Sequence, residues 1–326
     1  MNPAARQAAP ATAGVLLWAA SAAVFLSGCA TPQTTALLQS RPDGLSAARS
    51  IELPYFDQRD HECGPAALAM VLAGAGEAVT PQRLADALMV PARQGSLPPE
   101  MLATARRHAR LAVRLAPRLE AVLAEVASGT PVIVLQNLGL AFYPLWHYSV
   151  VVGYDLDRRV VLLQSGGQRA GPMPLSTFES TWARSGYWAM VAVAPDRLPV
   201  SVAPLQVFAA AADLERVDTP AARLAYLALT KRTPDLPQPW IGLGNADYAL
   251  GDLPGSAEAF GRAAHLDPRN ADAWNNLAAV LARLGRGCEA AAAAARALGI
   301  GGPHRAEYEA TAAEILSPDC APDALR

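Results

Sequence analysis

The chain has 326 residues, of which 52% are hydrophobic and 17% charged, and its net charge is −2. That balance builds packed cores and excludes a disordered chain, and the near-zero charge removes the electrostatic case for nucleic acid or an anionic membrane surface as a partner. The length gives room for about two domains of roughly 150 residues each.

Residues 1–28 carry a targeting signal. Arg6 supplies a positive start, residues 15–26 are apolar, and Leu26-Ser27-Gly28-Cys29 follows. The apolar stretch is shorter than the roughly 20 residues a membrane-spanning helix needs. The Leu-Ser-Gly-Cys tetrapeptide resembles a bacterial lipobox, which implies cleavage before Cys29 and lipidation of its thiol, with acyl chains rather than a span holding the protein. Ala30 follows, with no Asp to argue for inner-membrane retention. The expectation is an outer-membrane lipoprotein facing the periplasm, on a small, polar tether at residues 29–50.

From residue 51 to about 195 the pattern is mixed. A cysteine precedes Gly64-Pro65 and an apolar run, which predicts a helix over 64–75 with Pro65 preset for its first turn. Further helices are predicted over 80–88, 98–110 and 117–128, and β-branched or aromatic runs predict strands over 131–136, 146–154, 160–163 and 187–194. Helices first and antiparallel strands later is an α+β arrangement. Residues 196–202, with two prolines and little charge, read as a linker.

Beyond the linker the chain becomes Ala-rich and repetitive. One and the same spacing separates Trp240 from Trp274, Leu243 from Leu277, Gly251 from Gly285, and Ala263 from Ala297. Together with Phe260 and Leu266-Asp267-Pro268, this periodicity resembles a tetratricopeptide repeat. It predicts three helix pairs over 203–236, 237–270 and 271–304, a capping helix to about 316, and a tail over 317–326. Stacked pairs of this kind form a concave surface for a peptide or an envelope protein partner.

The chemistry centres on Cys63. A thiol at a helix N-terminus feels the positive end of the macrodipole, so the sequence predicts a readily ionised nucleophile. It needs a general base. Of five histidines, His265 and His304 lie in the repeats, His108 sits among arginines, and His61 is only two positions from the thiol. His147, far from Cys63 along the chain, opens the valine-rich strand His147-Tyr148-Ser149-Val150-Val151-Val152-Gly153-Tyr154. A Cys on a helix facing a His at a strand start is a papain-like pair.

These residues, with Gln58 five positions before Cys63, resemble the bacteriocin-processing, double-glycine-leader cysteine peptidases of the papain-like group. The resemblance covers residues 51–195 and implies an α+β papain-like cysteine peptidase domain, here followed by an all-α tetratricopeptide-repeat solenoid. It implies Gln58 as an oxyanion donor alongside the Cys63 backbone N–H. The family's third residue, an Asp before Pro on the next strand, is replaced here by Leu163-Gln164-Ser165-Gly166. Asp155 lies well past His147, about 26 Å along a strand at about 3.3 Å per residue, too far to orient the ring. Ser165 aligns with the family's Asp, and Gln164 or Ser165 is the expected neutral orienter.

The family's membrane spans and a phosphate-binding Gly-x-x-x-x-Gly-Lys-Ser/Thr loop are missing from this sequence, so no ATP role follows. No cofactor or metal is expected, since none of the four cysteines shows CxxC spacing. Cys288 and Cys320 could form a disulfide in an oxidising compartment, or remain two thiols. Three functions follow: a lipid-anchored periplasmic cysteine peptidase acting on a polypeptide recruited by its repeats, a catalytically weak papain-like domain serving as a peptide-binding scaffold, or the same nucleophile acting on another bond, as in an amidase or acyltransferase.

Overall fold

The computed structural model describes residues 31–58, 61–90, 92, 95–165 and 167–315. Cys29, the whole signal segment, Cys320 and the tail over 317–326 lie outside the described residues. No described helix is long and apolar enough to cross a membrane.

The chain builds α1 (Pro32–Gln39), β1 (Ala48–Ser50), α2 (Cys63–Gly74), α3 (Pro81–Leu88), β2 (Met89–Val90), β3 (Gly95–Ser96), α4 (Pro98–Arg107), β4 (Leu111–Arg114), α5 (Leu119–Ala127), β5 (Val132–Asn137), β6 (Trp146–Asp155), β7 (Val160–Ser165), β8 (Gln168–Pro174), α6 (Leu175–Ala183) and β9 (Ala189–Val193). An antiparallel sheet runs β4-β9-β5-β6-β7-β8, and β1 joins β6 past the end of β5. Strand alternation gives it two buried faces. Ile133, Val150, Val152 and Met190 pack with Leu68 and Leu72 of α2, whereas Val134, Val151 and Val191 pack with α5 and α6. Helix α2 is buried from Gly64 to Leu72, so its almost uniformly apolar sequence reflects a central element rather than an amphipathic one.

Three departures from the sequence expectation have physical causes. Within the expected tether, residues 31–50 are not simply a spacer: α1 and β1 belong to the domain. The Glu179 carboxylate of α6 accepts the Gln33 and Thr34 backbone N–H groups at 3.0 and 2.6 Å, satisfying donors at the open end of α1. Residues 196–202 are packed rather than loose, because the buried Glu125 carboxylate accepts the Ser201 N–H and hydroxyl, both at 2.7 Å, and Arg232 donates to the Pro199 and Val202 carbonyls. Strands β4 and β8 and helix α6 were absent from the predicted elements. In the 168–183 stretch, glycine, prolines and serines hide a strand and helix that tertiary packing stabilises.

The C-terminal region is helical: α7 (Pro204–Glu215), α8 (Thr219–Arg232), α9 (Pro237–Ala249), α10 (Leu253–Leu266), α11 (Ala271–Arg283), α12 (Gly287–Ile300) and α13 (Arg305–Ile315). The sequence period has a structural counterpart. Trp240 and Trp274 each donate an indole N–H to the carbonyl of a preceding proline, Pro234 and Pro268, at 2.9 and 3.1 Å. Asp218 and Asp252, one period apart, cap α8 and α10. A Cβ on Gly242 would lie 2.5 Å from the Tyr226 ring, so only glycine lets α9 close on α8. Val207, Ala211, Leu214 and Tyr226 share one buried cluster with Leu111 and Val113 of β4, and Arg106 of α4 pairs with Asp213 of α7 at 2.7 Å. The repeat region thus packs directly on the α+β domain.

At the far end Asp272 accepts the Tyr308 hydroxyl and pairs with the His304 imidazole at 2.9 Å, docking α13 on α11. The hydrogen bond from His304 to Asp272 raises the histidine's pKa. A raised folded pKa gives stability that is present below the histidine's ordinary value of about 6.5 and is lost as pH rises through the folded value. Amide-exchange protection of α13 is therefore expected to fall across that window. In His304→Ala it should not change there, and an unchanged wild-type profile would count against this contact as a clamp.

Candidate active site

Cys63 opens α2, and Gly64 permits its position. A Cβ at Gly64 would lie 2.4 Å from Ser96 Oγ, so this residue lets the helix mouth press against β3. His61, just upstream, has φ +67°, a left-handed turn unusual for a residue with a side chain. The backbone N–H groups of Tyr148, Gly64 and Cys63 itself lie near the Cys63 sulfur and favour its ionised form. The thiol therefore sits against the residue that follows His147. The sequence expectation of a readily ionised thiol is overturned: burial pushes the Cys63 pKa up, and the three N–H groups only partly offset that. Helix position stabilises a thiolate, but removal from water penalises it more.

His147 lies near the start of β6, directly opposite Gln136 of β5 in the ladder. Burial pushes its pKa down. Its ring makes no hydrogen bond among the described residues, so no described group orients it. Gln164 pairs with Val150 in the register, and its side-chain amide donates to the Leu53 and Pro54 carbonyls at 3.4 and 2.9 Å, anchoring the extended segment that leads to Gln58. Ser165 is half-buried at the end of β7 and pairs with Gln168 of β8. Gln58 is half-buried at the end of that extended segment, upstream of the α2 mouth. Asp155 accepts the Arg158 N–H at 2.9 Å and shapes the β6–β7 turn.

A cavity of about 640 Å³ opens beside Cys63, walled by Ser96, Leu97, Leu135, Leu145, Trp146 and Tyr148. His61 and Arg184 also reach it, whereas His147 does not line it. The sequence reading missed these wall residues, although the neighbours of His147 on a predicted strand were the available signal. The adjoining β5–β6 hairpin carries no charge from Leu138 to Trp146 and exposes Leu140, Phe142 and Tyr143. Its shape is held by Asn137, whose side-chain oxygen accepts the Gly139 and Leu145 N–H groups, both at 2.9 Å, and by Arg184, which donates to the Asn137 and Gly139 carbonyls. The result is a mostly apolar groove next to the Cys63 thiol, of a kind suited to an extended polypeptide. Among the described residues, no cluster of His, Cys, Asp or Glu is arranged to hold a metal ion.

Residues 50–190 match the model of the Peptidase_C39 like family, and residues 244–285 match that of a TPR repeat. An α+β domain that resembles the Peptidase_C39 like family over residues 50–190 is thus followed by a helical region in which residues 244–285 resemble a TPR repeat. Among solved structures it is similar to one assigned as a C39-like peptidase from Bacillus anthracis, with 20% identity and a TM-score of 0.38, covering 44% of this chain and 97% of that one. No curated protein matches the chain.

Proposed function

We propose that this protein is a cysteine peptidase in which Cys63 attacks the scissile carbonyl. The observation that carries the reading is the Cys63 sulfur at the mouth of α2, beside Tyr148, the residue that follows His147 on β6, and open to an apolar groove. His147 takes the thiol proton as the sulfur–carbon bond forms, then gives it to the leaving amine as the peptide C–N bond breaks. Water hydrolyses the resulting thioester and releases the acyl product. Gln58 and the Cys63 N–H donate to the developing oxyanion. The repeats recruit the polypeptide, and a lipid on Cys29 holds the protein at the periplasmic face of the outer membrane. The test is incubation of the reduced, folded protein with an electrophilic peptide probe, followed by peptide mapping. An adduct on Cys63 is expected, and a folded protein that never labels there defeats the reading.

One observation favours a second reading, a peptide-binding scaffold. With the thiol's pKa raised, the imidazole's lowered and no described group orienting the ring, the resting pair lacks the charge separation of a strongly activated thiol. Equal retention of a bound polypeptide by wild type and Cys63→Ala, with no cleavage by either, would identify it.

A further inference from the structure

The expected orienters of His147 lie on β7, yet the strand on its other side carries a buried side chain with an unused acceptor. Gln136 is fully buried, and its side-chain oxygen Oε1 has no hydrogen-bond partner. Its amide nitrogen donates to Thr181 Oγ1 at 2.7 Å and contacts Met173 Sδ at 3.7 Å. Thr181 determines which way round the amide sits. The threonine hydroxyl directs its single proton to the Thr177 or Phe178 carbonyl, each at 3.0 Å. Its oxygen can therefore only accept from Gln136, so the NH₂ group faces Thr181 and the carbonyl oxygen is left over.

An orphaned buried acceptor is costly, about 1–3 kcal/mol, and calls for an explanation. In the ladder Gln136 stands directly opposite His147. Directly opposed residues project to the same face of a sheet, with Cβ atoms about 4.5–5.5 Å apart. The unpaired acceptor and the unpaired imidazole are thus cross-strand neighbours.

We propose that Gln136 is the positioning residue of the site, its Oε1 accepting the N–H of the His147 ring during the reaction. This deepens the peptidase reading and rests on it. One ring nitrogen receives the Cys63 proton while the other donates its own proton to Gln136. The residue thereby selects the tautomer that leaves a basic nitrogen for the thiol, as a neutral acceptor can. It supplies from β5 what the family's Asp supplies from the following strand, and the Thr181 contact holds it in that orientation.

The test compares wild type, Gln136→Met and Gln136→Glu by two readouts. The first is the pH profile of Cys63 alkylation by iodoacetamide; the second is the NMR titration of the His147 ring protons. With far-ultraviolet circular dichroism showing folded protein, Gln136→Met is expected to slow alkylation near neutral pH by about 10- to 100-fold. Gln136→Glu should restore the rate and raise the His147 pKa by about one unit or more. Should the glutamate variant fail to fold, the methionine variant and the wild-type titration still decide the matter. Unaltered alkylation and an unaltered His147 titration in folded Gln136→Met overturn the proposal. If wild-type alkylation proves independent of His147 while the titration still moves with residue 136, the contact stands and the peptidase reading fails.

Discussion

Replacing His147 with alanine is expected to slow Cys63-dependent cleavage or probe acylation by about 10²–10⁴-fold, the span of a lost general base. Cys63→Ala should remove it to background. The reason is the protonation state: with its pKa raised by burial, the thiol is largely protonated at neutral pH and cannot act until a neighbour takes its proton. His147 is suited to that task because burial lowers its pKa and keeps it neutral. A neutral base works only above its own pKa, so the acid limb of the wild-type profile should fall below about pH 6.5, the ordinary histidine value. The control is His61→Ala. His61 lines the cavity with Cys63, and if it were the base its loss, not that of His147, would produce the large drop. Single-turnover acylation across pH 5–9 for the three variants decides between the histidines.

The largest stability loss is expected for Trp182→Ala, at about 3–5 kcal/mol. Trp182 has no exposed surface, stacks on Phe178 at 5.5 Å and meets Tyr187 edge-on at 5.0 Å. Its indole N–H donates to the Trp188 carbonyl at 2.8 Å. Truncation leaves a cavity in the cluster that runs from the sheet into α7 and α8, and also strands a buried carbonyl. It also loosens α6 beside Thr181, which orients Gln136, so residual folded protein should alkylate Cys63 more slowly. Urea unfolding with an unchanged slope and a lower midpoint is the expected result, and a loss below about 1 kcal/mol would show that the site refills.

The helix pairs and the helix-mouth position of Cys63 were legible because their signals are local or periodic. Tryptophans one repeat apart make the same hydrogen bond to a proline carbonyl, and a Cys-Gly-Pro at a helix mouth needs only its neighbours to be read. Strand His147–Tyr154 was legible for the same reason, through its valines and tyrosines. Residues 31–50 and 196–202 were misread because polar, proline-containing segments look like spacers unless their distant partners, Glu179 and Glu125, are known. Strand β8 and helix α6 went unseen because packing, not propensity, holds them.

The sequence by itself singled out Cys63 as the candidate nucleophile, placed it at a helix N-terminus, and showed that helix pairs repeat behind it. Tertiary structure alone decided the state of that thiol and what surrounds it. Burial is a sum over residues far apart in the chain, so it could reverse the ionisation that the helix end favours. The ladder pairing of β5 with β6 likewise set Gln136 opposite His147 across the hairpin, a pairing created by strand register rather than by any motif.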